Sequence, residues 1–213
     1  MRLSTLQRLS ATALIAGSVL LMVYAIAFPS LLPLDRMATD FAQLVLSPHW
    51  LWLAGIAFAG VLLMVAGFAG IYSRLYASAG WTGLIGFAGI ELAYLLQACK
   101  VTWEIFLYPT IAAHPTAVTL LRDGIIKHSE LVGGFRRGAT LAILVGTVLF
   151  CFTLVRSHAF PKSGGIVLFA GALLYGLHLN TPSAIAGILI HSLGCLILGL
   201  RLFRPAEPAC GCA

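Results

Sequence analysis

The sequence predicts an all-α integral membrane protein, a bundle of six transmembrane helices. Hydrophobic residues make up 60% of its 213 residues and charged residues only 9%. A hydrocarbon core about 30 Å thick is crossed by roughly 20 helical residues, and nearly all of the apolar stretches reach that length. Short segments between them hold most of the charge, so a bilayer is the expected solvent. The six stretches cover residues 11–28, 51–72, 81–108, 140–155, 165–179 and 183–203.

The first stretch has features of a secretory signal, because Arg2 and Arg8 precede it and Ala-Ile-Ala at 25–27 imitates a cleavage site. Its apolar run is longer than the core of such a signal, which favours a retained span. The fourth and fifth stretches are shorter and are expected to extend by a turn into their flanks. Residues 1–204 are therefore predicted to form one six-helix domain.

Residues 205–213 are expected to be a disordered cytoplasmic tail, because Pro205 and Pro208 stand in a segment without apolar periodicity. Cys210 and Cys212 form a Cys-Gly-Cys sequence there. Two thiolates so close could hold a soft metal or be acylated. A tail without a role is the simpler expectation.

Lysine and arginine set the predicted orientation, since they concentrate on the cytoplasmic side of membrane proteins. Their distribution favours a bacterial inner-membrane protein with both termini in the cytoplasm and the long loops, 29–50 and 109–137, outside. The inner group is Arg2, Arg8, Arg74, Arg156, Lys162, Arg201 and Arg204, and the outer group is Arg36, Arg122, Lys127, Arg136 and Arg137.

Two segments of the chain resemble each other. Residues 70–95 align without a gap on 152–177, which places Arg74 on Arg156 and matches Phe-Ala-Gly at 87–89 with the same triplet at 169–171. Two spans separate the segments, so the predicted two-helix repeat is parallel. Many secondary transporters have inverted repeats instead.

The same region carries a resemblance to known proteins. Residues 70–109 combine Arg74 at a tight turn, a glycine-rich helix start and Trp-Glu-Ile-Phe-Leu-Tyr-Pro at 103–109, and Phe-Pro-Lys at 160–162 marks a related later turn. These features resemble a broad group of uncharacterised small multi-spanning bacterial membrane proteins. That group has no assigned activity, so the resemblance implies a membrane fold and no site residues.

Glu91 and His191 are the most informative polar residues within the spans. Glu91 lies about 15 Å into the third span at 1.5 Å per residue, and His191 reaches a similar depth from the outer end of the sixth. Buried ionisable groups in membranes usually face the bundle interior. A hydrogen-bonded Glu91–His191 pair is therefore predicted, which either relays protons or simply pins two helices. His191 shares a face with Gly187 and Gly194, small residues that let another helix approach.

Nearer the outer surface, Lys100 and Glu104 stand four residues apart on the third span. This spacing places two side chains on one helix face. The pair is expected at the outer interface, where lysine extends its ammonium group towards water. The simpler interpretation of this pair is structural.

Four histidines near the predicted outer face make the case for a metal site on that side. Imidazoles with neighbouring carboxylates can bind zinc, copper or iron, but none of these histidines has paired spacing. A haem held by His178 and His191 is less favoured, because their depths differ. The four are His49, His114, His128 and His178.

No motif for nucleotide hydrolysis or for the common hydrolases is present. The net charge of +6 is explained by the positive-inside bias and by anionic lipids, so nucleic acid is not an expected partner. The sequence favours a non-catalytic binding or accessory subunit that packs against lipid, other membrane subunits or a second copy, with no cofactor. The alternatives are a proton-coupled small-solute carrier using Glu91 and His191, and a metal or haem oxidoreductase at the outer face.

Overall fold

The computed structural model describes residues 3–33, 40–123, 125–157, 159–177 and 180–204, and within these ranges every regular element is a helix. Long helices cross the molecule, and short ones lie in the long loops. The elements are α1 (Leu3–Leu31), α2 (Phe41–Val45), α3 (Pro48–Thr102), a π-helix (Trp103–Leu107), α4 (Tyr108–Ala113), α5 (Val118–Arg122), α6 (Ile125–His128), α7 (Glu130–Ser157), α8 (Lys162–Leu177) and α9 (Thr181–Leu202).

Four helical segments are long and apolar enough to cross a membrane: Thr5–Leu31, Pro48–Ala113, Glu130–Ser157 and Thr181–Leu202. The apolar helix α8 is shorter, at 16 residues. The predicted all-α class with membrane-type helices is thus confirmed. The count of six crossings differs, because the second and third predicted stretches lie in one continuous segment and the fifth falls below membrane length.

The long helix α3 folds back on itself at Gly80. Gly80 has φ 56° and ψ −165°, a conformation that is essentially restricted to glycine. The indole nitrogen of Trp50 donates to the carbonyl oxygen of Glu104 at 2.9 Å, although the two residues are 54 apart in sequence. A straight helix would separate them by about 80 Å. Residues 48–79 and 81–102 therefore form an antiparallel pair, the first and second halves of α3.

The long helices form a ring in chain order. The first half of α3 packs on α1, and the second half packs on α7. Helix α8 packs on α7, and α9 packs on α8 and on α1, which closes the ring. Facing residues run in opposite directions along neighbours: Gly83 faces Thr153, whereas Gly89 faces Gly146. Consecutive helices thus alternate in direction, and the second half of α3 lies across the ring from α9.

Glycines allow these helices to approach closely. A Cβ atom placed on Gly146 would lie 2.5 Å from the carbonyl carbon of Gly89, so the two backbones are in direct contact. On α9, Gly187 lies against Tyr175 and Gly194 against Leu168. The expectation that these two small residues admit a neighbouring helix beside His191 is confirmed.

The two ends of the bundle differ. At the loop end, described parts of the two long loops share one apolar cluster, which includes Leu32, Val45, Trp50, Ala112 and Leu121. At the opposite, terminal end, the Arg74 guanidinium donates to the carbonyl oxygens of Arg201 and Arg204 at 3.2 and 2.9 Å and lies over the Phe160 ring. Both long loops therefore belong to one end, and the fold-back of α3 belongs to the other.

Candidate functional site

His191 lies at the centre of the bundle with 6% of its surface exposed. Its Nδ1 atom is 3.2 Å from the carbonyl oxygen of Leu168, and its Nε2 atom is 2.6 Å from the hydroxyl of Tyr94. A carbonyl oxygen can only accept, so Nδ1 carries a hydrogen. In the neutral ring, Nε2 is then the acceptor for the Tyr94 hydroxyl. His191 thus links α8, α9 and the second half of α3.

The predicted direct hydrogen bond between Glu91 and His191 is not formed. The partner of His191 is Tyr94, and Glu91 Oε1 is buried without a hydrogen-bond partner among the described residues. The reason is geometric: α9 lies across the ring from the second half of α3, and only the longer tyrosine side chain spans that distance. Glu91 lies one turn before Tyr94 and points away from it by about 60° around the helix.

Tyr94 begins a row of polar side chains that leads towards the loop end. Gln97, three residues on, donates through Nε2 to the hydroxyl of Tyr175 at 2.7 Å. Residues three apart form a ridge that winds gradually around a helix, and Lys100 continues it. We call Tyr94, Gln97 and Lys100 the polar row.

The polar row ends in an ion pair. Lys100 Nζ lies 3.4 Å from Glu104 Oε1, and their side chains are 43% and 14% exposed. This is the contact that the four-residue spacing predicted. Polar side chains therefore recur along the second half of α3 from this ion pair near the loop end to Tyr94 at the bundle centre. Gln97 and Tyr94 form their hydrogen bonds with Tyr175 and His191, on other helices.

A π-helix at Trp103–Leu107 places Glu104. Such wide turns are rare and are often found at functional sites. The side chain of Trp50 holds this turn through its hydrogen bond to the Glu104 carbonyl oxygen, so the end of the row is fixed to the first half of α3. Sequence analysis missed the π-helix, because nothing in the apolar pattern of residues 103–107 distinguishes it from an α-helix.

The interior on the other side of His191 is mainly apolar, and its buried polar side chains there are the small Ser10 and Thr153. Large side chains that are no more than 2% exposed fill the space towards the terminal end. We call the half towards the loops, which contains the polar row, the polar half, and the half towards the termini, whose interior is mainly apolar, the apolar half. The side chains of the apolar half include Leu14, Leu75, Leu154, Leu198 and Leu202.

Two hydroxyl groups near the centre have no hydrogen-bond partner among the described residues. Thr147 Oγ1 and Ser192 Oγ are buried and, like Glu91 Oε1, make no hydrogen bond within the described part of the chain. Leaving a buried polar group unpaired costs about 1–3 kcal/mol, and buried polar groups in native proteins are nearly always bonded. These oxygens could accept hydrogen bonds from a small polar ligand.

Of the four histidines proposed for a metal site, the structure describes the side chains of His49 and His114. His49 and His114 are both exposed, and His114 Nδ1 is 3.0 Å from the Thr116 hydroxyl. His178 and the side chain of His128 lie outside the described residues. Among the residues that are described, no three His, Cys, Asp or Glu side chains gather where they could hold a metal ion.

A haem on His191 is also not supported, because Tyr94 and Leu168 occupy both of its ring nitrogens. The tail cysteines Cys210 and Cys212 lie outside the described residues. Comparison with known proteins adds no candidate site: no protein-family model, no curated protein and no solved structure matches this chain.

Proposed function

We propose that the chain crosses a bacterial inner membrane six times, with both termini in the cytoplasm. The fold-back at Gly80 supports this count, because it divides the 66-residue apolar segment Pro48–Ala113 into two lengths that each exceed 20 residues. Helix α8 spans about 24 Å at 1.5 Å per residue, and a bilayer can thin locally around such a helix. The terminal end is then cytoplasmic.

The parallel repeat is part of the same proposal. Each of the segments 70–95 and 152–177 contains a fold-back, at Gly80 in one and between α7 and α8 in the other. In each segment the first helix runs towards the terminal end and the second runs away from it. This shared path is what a parallel two-helix duplication requires.

We further propose that the protein is a proton-coupled carrier of a small polar solute. The observation that carries this proposal is the polar row, whose residues recur every three positions from the Lys100–Glu104 ion pair to Tyr94, the partner of His191. Polar groups at membrane depth are expensive and commonly mark solute or proton pathways. A row that served only to join helices would not need to continue to the loop end.

The chemistry of the row suits proton transfer. The hydroxyls of Tyr175 and Tyr94 can both donate and accept a hydrogen, and His191 Nε2 accepts from Tyr94. Glu91 lies one turn from Tyr94, on the side away from the loop end, and its Oε1 atom has no hydrogen-bond partner among the described residues. Protons that enter at the loop end would reach these two groups, and the apolar half beyond them would block free leakage.

A non-catalytic accessory subunit is the second candidate, and the filled centre favours it. The rings of Phe68 and Tyr94 lie 5.4 Å apart, and those of Phe68 and Phe150 lie 5.6 Å apart. These contacts close the bundle around His191. A carrier must open them in another conformation, whereas an accessory subunit need not.

Charge movement after a pH jump separates the two candidates without knowledge of the solute. Proteoliposomes adsorbed to a solid-supported membrane would be exposed to a rapid change in pH at the side of the loop end. A carrier should give a transient current in the wild type as internal groups bind or release protons. Glu91→Gln should fold normally, because Glu91 Oε1 has no partner to lose, and should lose most of the current.

Glu130→Gln is the matched control. Glu130 is an exposed carboxyl on the first turn of α7 and is not part of the polar row, so this variant should keep the full current. Equal currents from wild type and Glu91→Gln would refute the role of Glu91. Absence of any current from folded wild-type protein would reject the carrier and leave the accessory subunit.

A further inference from the structure

A groove on the membrane-facing side of α7 combines charge with apolar surface near the loop end. It has a volume of about 520 Å³. The part nearer the loop end is lined by Ser129, Arg136 and Arg137, and the part nearer the middle of α7 is lined by Leu141 and Leu144. The groove therefore changes from cationic to apolar along the direction in which a membrane lipid lies.

The two arginines are available to a ligand. Arg136 and Arg137 are both exposed, and neither has an ion pair or a side-chain hydrogen bond with any described residue. Their helix is held in place by contact between the rings of Trp103 and Phe135, whose centroids are 4.9 Å apart. Two adjacent guanidinium groups on a fixed helix match the phosphate of a lipid headgroup, which arginine can bind through two parallel hydrogen bonds.

Glycines make room beside these charges. A Cβ atom on Gly134 or Gly138 would have no neighbour within 4 Å, and one on Gly133 would approach only the Arg137 guanidinium, at 3.9 Å. In contrast to Gly146 on the same helix, these glycines make no close contact with another helix in the part of the chain that the structure describes. They leave the surface around the arginines open to a headgroup.

We propose that this groove binds one anionic phospholipid, with its phosphate on Arg136 and Arg137 and an acyl chain along Leu141 and Leu144. Charge complementarity selects an anionic headgroup, and the side chains of Leu141, which is 64% exposed, and of the half-buried Leu144 match its acyl chain. The site does not depend on the proposed transport function, because no residue of the polar row lines it.

Binding can be measured with the full-length protein in detergent, by titrating phosphatidylglycerol and following the melting temperature. Phosphatidylglycerol should raise it, whereas phosphatidylcholine and inorganic phosphate should not. Arg136→Gln combined with Arg137→Gln should weaken binding roughly 30-fold, since each surface arginine contributes a factor of about five. Arg8→Gln combined with Arg156→Gln removes the same charge from two exposed arginines at the terminal end and should bind like the wild type.

Gly133→Leu provides a second variant that keeps both arginines. Its side chain would enter the groove, so it should lose the response to phosphatidylglycerol while melting like the wild type in detergent alone. Three results would overturn the proposal: equal responses to phosphatidylcholine, a response to inorganic phosphate alone, or full binding by both groove variants.

Discussion

At the scale of single residues, the hydroxyl of Tyr94 determines how the centre of the bundle is connected. It is the only described side chain within hydrogen-bond distance of His191 Nε2. The sequence predicted that Glu91 and His191 lie at similar depth, since depth follows from counting residues along a helix. It could not indicate the partner, because that depends on the order of helices around the ring. Tyr94 looked like one more aromatic residue in an apolar span.

Tyr94→Phe should destabilise the protein by about 1–3 kcal/mol, because it leaves His191 Nε2 buried without a partner. Unfolding of the purified protein in mixed micelles by increasing SDS would measure the loss. Tyr76→Phe removes the same hydroxyl from a side chain that is 73% exposed, and it should change stability little. If both variants unfold alike, the Tyr94–His191 hydrogen bond does not contribute to stability.

At the scale of helices, glycine positions set the packing. The spacing of Gly187 and Gly194 was enough to predict one close contact, because small residues seven apart return to the same face. The sequence predicted a tight turn near Arg74, between two apolar stretches, but not that the helix reverses at Gly80. Helix-forming residues on both sides leave the helical pattern almost unbroken. The apolar pattern alone gave no sign of the π-helix.

Two glycines on α7 test this packing. Gly146→Ala should destabilise the bundle by about 1–3 kcal/mol, as overpacking generally does, because the new Cβ atom would meet the backbone of Gly89 at 2.5 Å. Gly138→Ala places a methyl group on the same helix where nothing lies within 4 Å, so its stability should not fall. Thermal unfolding of both variants would measure the difference, and equal losses would contradict direct contact between α3 and α7.

At the scale of the whole molecule, one end is built from loops and the other holds the described residues nearest the termini. The polar half of the interior faces the loop end, and the apolar half faces the terminal end. Sequence reasoning placed the long loops together, since every crossing reverses the direction of the chain. The sequence could not predict which half of the interior is polar, because that depends on how side chains from different helices align along the bundle axis.

Orientation can be tested directly. With the terminal end in the cytoplasm, a cytoplasmic reporter fused after Arg204 should be active, and the same reporter inserted near Asp123 should be inactive. The physical reason is the excess of arginine and lysine at the terminal end. The opposite pattern of activity would reverse every assignment of inside and outside made above.

The central claim is that polar side chains give access to the bundle centre from the loop end and that the terminal end is sealed. Its most direct test is thiol labelling in a variant whose five cysteines are replaced by alanine. Gln97→Cys, in the polar row, should react with a small water-soluble thiol reagent added at the side of the loop end. Leu198→Cys, fully buried in the apolar half, should react from neither side. Labelling of Gln97→Cys only from the terminal side, or equal labelling of both variants, would contradict the account.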